Sequence, residues 1–294
     1  MSPAKALQID IGNTEINVCA FASDGTHALT GDQLGLVRLW DLQTAGCLRD
    51  FHGHHKPAWA LAWSADGHFF LSGGFDKTLR LWNAKTGDCV RVLQGHTDYI
   101  RSVQWSSDQR LAVSASGDGT IRLWELETGR CRRVLEGHTD GVYHAALSAD
   151  CQRLLSGSRD ASLRLWDLNT GSCIRAFRGH SYHVQCVVWG SDQRHAISCA
   201  NDVRLWDVNT GDCVRVFEGH TATIRSVEWS MDQRRAISGS YDDTVRLWNV
   251  ETGDCLGVLE GHAAGVVNAT WTSDGRGAVS CDEKGGIRVW TMLE

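Results

Sequence analysis

The chain is written in short runs of alternating apolar and polar residues, broken at regular intervals by glycine, serine and aspartate. Over residues 95–135, "GHTDYIRSVQWSSDQRLAVSASGDGTIRLWELETGRCRRVL", the runs "IRSVQW", "LAVSAS", "TIRLWEL" and "CRRVL" are separated by "SSDQ", "GDG" and "ETG". Runs of this length between turn residues predict four β-strands, and the turn spacing excludes a helical solenoid. Proline, which would remove a ladder donor, occurs only as Pro3 and Pro57. The unit then repeats. Trp40, Trp82, Trp124, Trp166, Trp206, Trp248 and Trp290, each closing an "RLW" or "RVW", are spaced by 42, 42, 42, 40, 42 and 42 residues. A period of this size marks one supersecondary unit copied into an array. Seven copies fill the chain and leave no room for a separate catalytic domain.

The punctuation of the units carries a resemblance. "GH" at 53, 95, 137, 179, 219 and 261, with "WD", "WN" or "WE" after "RL", resembles the WD-repeat β-propeller family over essentially all 294 residues. The resemblance implies an all-β fold, a single domain over residues 1–294 with seven four-stranded antiparallel blades around a central channel. The ends predict how the ring closes. The last unit stops at "GGIRVWTMLE" without a fourth strand, and "KALQIDIG" near the start is a strand too many. The N-terminal strand is therefore expected to complete the last blade and remove an open edge.

In this family a blade is often tied by a buried hydrogen-bond chain of Asp, His, Ser or Thr, and Trp. Carried over by register, the complete sets are His54, Ser72, Asp76, Trp82; His96, Ser114, Asp118, Trp124; His138, Ser156, Asp160, Trp166; and His220, Ser238, Asp242, Trp248. The remaining units depart from the pattern. The first has Asn13 for the His and Leu34 for the Asp, the seventh has Lys284 at the Asp position, and the fifth is two residues short around Asn201 and Asp202. These three are expected to be less well tied. The Asp, His and Ser sets could be mistaken for hydrolase triads, but four copies at one register argue for structure, since a triad normally occurs once. Cys47, Cys89, Cys131, Cys173, Cys213 and Cys255 share a register on separate blades, which predicts small buried packing residues and no metal site. Arginine two residues before each Trp (Arg38, Arg80, Arg122, Arg164, Arg204, Arg246, Arg288) and a second series in the outer strand (Arg49, Arg91, Arg133, Arg175, Arg215) are expected to discourage edge pairing.

Composition narrows the partners. A net charge of −6 argues against a general nucleic-acid binder. No apolar run approaches the ~20 residues of a membrane span, and "MSPAKALQIDIGNTEINV" lacks the apolar core and cleavage site of a secretory signal. Eleven cysteines without a CxxC pair fit a reducing cytosol. The expectation is a cytoplasmic monomer without a cofactor.

Function is expected where the units differ. In the family one face of the ring is formed by the loop after each "GH", with the start of the next strand, and by the turn before the blade Asp. Those positions hold Trp59, Tyr99, Arg101, Tyr143, His183, Gln185 and Arg225, and the turns add Phe75, Arg159 and Tyr241. Trp, Tyr and Arg are the residues favoured at interface hot spots. The set predicts a non-catalytic scaffold that grips a protein or peptide segment. Three arginines add a mild preference for an acidic or phosphorylated segment, which Asp98, Asp140 and Glu283 oppose. The opposite face, with its "SSDQR", "GSDQR" and "TGDC" turns, reads as turn chemistry and solvation. The alternative is a propeller enzyme or small-ligand binder using the central channel. No non-repeated cluster of carboxylates, His or Cys stands out for it, and such a cluster around the channel would revive it.

Overall fold

The computed structural model describes residues 3–8, 15–272 and 274–291. Among them, 28 strands form seven four-stranded antiparallel sheets, with no helix. Blade 3 shows how the pattern becomes structure. Its strands, Ile100–Trp105, Leu111–Ser116, Ile121–Glu125 and Cys131–Leu135, lie side by side in chain order, the first against the channel and the last at the periphery. The second strand is covered on both faces, so "LAVSAS" carries no charge and its only polar side chains are the small hydroxyls of two serines. The fourth alternates into solvent and buries only its final Leu135.

The ring closes as the ends predict. Pro3–Gln8 pairs antiparallel with Gly286–Thr291, Leu7 opposite Ile287, and so becomes the fourth strand of blade 7. Blade 7 is tied to blade 1 by Ile16 N–H donating to Glu283 O at 2.8 Å and by Asn268 Nδ2 donating to Cys19 O at 3.0 Å. The apolar core is divided into seven clusters, each between adjacent blades. Val113, Ile121, Leu123 and Leu135 of blade 3 meet Val142, Leu154 and Trp166 of blade 4 in one of them. Another joins Ile16 and Trp40 to Val279 and Ile287 across the closure.

Blades 2 to 7 are each pinned internally by a polar chain. In blade 3 His96 Nδ1 bonds Asp118 Oδ2 at 2.8 Å and Nε2 bonds Ser114 Oγ at 2.7 Å. Trp124 Nε1 donates to the same Oγ at 2.8 Å. A carboxylate can only accept, so Nδ1 donates to Asp118, while Ser114 Oγ joins Nε2 and the indole of Trp124 in one chain. His54, His138 and His220 repeat the arrangement with Asp76, Asp160 and Asp242.

Blades 5 and 7 differ from the sequence expectation, for both are fully tied. In blade 5 His180 bonds Asp202 at 2.7 Å and Ser198 at 2.6 Å, and Trp206 donates to Ser198 at 2.8 Å. The missing two residues remove the hydroxyl that follows the Asp elsewhere, and Arg204 takes its place, donating through Nε and Nη2 to Asp202 Oδ2. In blade 7 the carboxylate comes from Asp282, two positions before Lys284, and bonds His262 at 2.8 Å. Ser280 and Trp290 complete that chain. Room for it exists because Gly286 stands where other blades carry Thr or Ser, and a Cβ there would lie 2.4 Å from Asp282 Oδ2. In blade 1 the described residues show Trp40 Nε1 donating to Thr30 Oγ1 and Asp32 accepting from the Leu34 and Leu36 amides; Asn13 lies outside the described residues.

Two further expectations are corrected. Cys47, Cys89, Cys173, Cys213 and Cys255 are exposed and Cys131 is half-buried, because the outer strand packs only its last residue. The outer-strand arginines do more than charge an edge. Arg91, Arg133 and Arg175 each donate to two backbone carbonyls in the turn of the following blade, and Arg49 and Arg215 to one.

Candidate functional site

The variable positions converge because of a backbone irregularity at the start of each inner strand. Pairing between Ile100–Trp105 and its neighbour slips at Arg101, which is left out of the ladder as a β-bulge. The same slip occurs at Asn17, Trp59, Tyr143, Arg225 and Val267. A bulge re-aims its side chain. With Gln185, which precedes the strand in blade 5, these residues ring the channel.

Above that ring opens a well of about 430 Å³ lined by Trp59, Phe75, Tyr99, Arg101, Tyr143, Tyr182, His183, Gln185, Thr223, Arg225 and Tyr241. Its wall is aromatic. Phe75 stacks on Tyr99 with centroids 4.6 Å apart and touches Trp59 at 5.1 Å. Tyr182 stacks on His183 at 4.2 Å, and His183 meets Tyr143 edge-on at 5.9 Å. Nine of the ten residues singled out in the sequence therefore line one well. Arg159 does not. It is half exposed and faces Asp140 at 3.7 Å, while its charge, second to burial, lowers the pKa of His183. Tyr182 and Thr223 were missed, each lying beside a residue that was selected.

The floor of the well is cationic. The Arg101 guanidinium lies 3.9 Å from the Trp59 ring centroid and 4.9 Å from that of Tyr143. Arg225 approaches Tyr241 at 5.4 Å and Trp59 at 5.7 Å. Both reach one acceptor, Gln185 Oε1, from Arg225 Nη1 at 3.1 Å and Arg101 Nη2 at 3.4 Å. Burial, with Arg225 second, holds the pKa of Arg101 well below its ordinary value. Arg101 Nη1, Arg225 Nε and Trp59 Nε1 are buried without a hydrogen-bond partner.

Beneath, the channel narrows to a space of about 170 Å³ walled in part by His144 and Cys186. Cys186 stands opposite Cys199 across the sheet. Cys199 Sγ donates to Ile224 O and Cys186 Sγ to Val227 O; the neighbouring Cys199 and then His144 lower the Cys186 pKa against burial, while burial and Cys186 raise that of Cys199. This non-repeated cluster was not singled out in the sequence. Its signal was there: His144 and Cys186 occupy the register that holds serine in blades 3 and 6. Among the described residues, no group of three or more His, Cys, Asp or Glu is placed to hold a metal ion. A larger groove, about 970 Å³, runs between blades 5 and 6 on the opposite side, lined by turn residues of mixed charge including Asp232 and Arg234.

A closed seven-bladed ring with bulged inner strands and a His, Ser and Trp chain in its blades defines a repeat propeller. Residues 5–41, 45–83, 87–125, 129–167, 171–207, 211–249 and 253–291 each match the WD40 model, described as WD domain, G-beta repeat, and the chain belongs to that family. Members are generally non-enzymatic and commonly serve as protein-interaction scaffolds. No curated protein matches the chain.

Proposed function

We propose that this propeller is a non-catalytic binding module that takes a protein or peptide segment into the well at the channel mouth and prefers an acidic one. The carrying observation is the pair of arginines, Arg101 and Arg225, sharing a single neutral acceptor inside an aromatic wall. Aromatic rings offer large contact area at low entropic cost, and guanidinium groups grip carboxylate or phosphate through two hydrogen bonds. The Asp, His and Ser sets argue against hydrolysis, since Ser72, Ser114, Ser156, Ser198, Ser238 and Ser280 are 0% exposed and their oxygens already serve His and Trp. A nucleophile needs access to its substrate.

Panning the full chain against a random peptide library should enrich acidic sequences. In the recovered ligand's titration, Trp59→Ala, Tyr99→Ala and Arg101→Ala should weaken binding, a true hot spot by about 30-fold or more, equivalent to ~2 kcal/mol. Arg234→Ala on the opposite face should leave it unchanged, with melting curves excluding lost folding. Enrichment without acidic residues, or loss from the opposite face alone, would reverse the reading. A small ligand in the channel is the second reading, favoured by His144 and Cys186 in its wall. It requires that Cys186→Ser abolish ligand binding while Tyr99→Ala spares it.

A further inference from the structure

We propose that the mouth of the channel is a seat for one oxyanion, a carboxylate or a phosphate, held between Arg101 and Arg225 at the place now marked by Gln185 Oε1. The proposal rests on the binding reading above and specifies which chemical group of the ligand goes deepest.

The two guanidinium groups come from blades 3 and 6 and converge on that single oxygen, 3.4 and 3.1 Å away. An amide oxygen carries no net charge, so the acceptor that the two positive groups share does not neutralise them. Glu283, the carboxylate whose field reaches Arg225, is half-buried, and burial raises its pKa against the opposing influence of Tyr241. Glu228, deeper in the fold, accepts from the Trp271 amide at 3.2 Å, and burial raises its pKa. Neither occupies the seat.

Buried charges and donors left without partners are costly, and a ligand that supplies their acceptors offsets that cost. Three donors wait here: Arg101 Nη1, Arg225 Nε and Trp59 Nε1. Together with the two that now share Gln185, they match the several acceptor positions of a carboxylate or phosphate better than one amide oxygen does. The rings of Trp59 and Tyr143 against Arg101 keep water from the guanidinium plane, which strengthens a charge-assisted bond made there. The well of about 430 Å³ admits an acidic side chain or a small free anion.

The test uses the full chain at constant ionic strength, with inorganic phosphate and glutarate as separate probes against a chloride control. At ten times its dissociation constant an anion that binds the seat should raise the Tm by about 2 °C or more. Arg101→Met and Arg225→Met should abolish the shift, and each should melt at or above the unliganded parent because one of two repelling charges is gone. Gln185→Glu supplies the missing carboxylate from within, so it should melt higher than the parent and no longer respond to either anion. A response to phosphate alone assigns the seat to phosphorylated or phosphate ligands, and a response to glutarate alone to carboxylates.

Absence of any anion-dependent shift in the parent chain overturns the proposal, whatever the variants do. A shift that survives both arginine substitutions overturns it equally. The wider reading fails separately. If a selected segment loses affinity with Trp59→Ala but keeps it with both arginine variants and Gln185→Glu, the binding face stands and the seat does not.

Discussion

Asp282 reaches His262 from a position two residues earlier than Asp118 uses for His96, and the imidazole cannot tell them apart: both bonds measure 2.8 Å. What is required is a carboxylate at Nδ1, by whichever turn can deliver it. Asp118→Ala and Asp282→Ala should each leave a buried imidazole N–H unpaired and cost about 1 to 3 kcal/mol in urea denaturation, whereas Asp88→Ala on the exposed surface should stay within about 0.5 kcal/mol. The chains also set a pH response. Burial raises the carboxyls of Asp76, Asp202 and Asp242, but their hydrogen bonds outweigh it and hold them at about 2. Burial keeps His180 and His220 below the ordinary histidine value despite their aspartates. In both cases the unfolded chain binds protons more readily than the folded one, so stability decreases as the pH is lowered. Tm should begin to drop below pH about 6.5 as histidines of the unfolded chain gain charge, then more steeply from about 4 towards 2 as its carboxylates take up protons. A Tm constant from pH 7 to 3 would contradict the neutral imidazoles of His180 and His220 and the ionised, hydrogen-bonded carboxylates of Asp76, Asp202 and Asp242. Four of the chains could be read from register alone. The chain in blade 7 could not, because its legibility depends on Gly286 making space, which only packing reveals.

At the level of strands, the number and order were legible because each unit ends in the same buried tryptophan and the same turns. The bulges were not. Arg101 follows Ile100 in an ordinary alternating run, and a slip in register belongs to the pair of strands rather than to either one. Nor did the outer-strand arginines announce their partners, which lie a whole blade further on. Arg133 crosses to the Asn169 and Thr170 carbonyls and passes over Gly171, whose φ of 82° suits glycine and whose added Cβ would lie 2.7 Å from Arg133 Nη1. Gly171→Ala should therefore destabilise by about 1 to 2 kcal/mol, through backbone strain together with displacement of the arginine. Arg133→Met, which removes exposed hydrogen bonds only, should cost less than about 1 kcal/mol by the same urea titration. Equal effects would mean that the turn conformation, and not the clamp, is immaterial to the blade interface.

The whole molecule depends on a strand borrowed from the other end of the chain. Deleting residues 1–11 removes Pro3–Gln8 and bares the edge of Gly286–Thr291, so the truncated protein should melt lower and self-associate in light scattering. An unchanged monomer with an unchanged Tm would show that blade 7 stands on three strands. The ring itself was legible from its period and its complementary ends. The meeting of Arg101 and Arg225 was legible only as membership of one rim, since contact across the channel depends on how long side chains from distant blades cross its axis. The seven bulge-register residues, Asn17, Trp59, Arg101, Tyr143, Gln185, Arg225 and Val267, have a consequence of a different kind. Each is a single codon in a copied unit, placed outside the ladder and away from the blade's own tryptophan and histidine. Apart from Val267, which also packs in the core between blades 7 and 1, mutation at these codons rewrites the perimeter of the mouth one letter at a time while the seven folding units stay the same. Duplicated genes of this kind can diverge in what they recognise far faster than in how they fold.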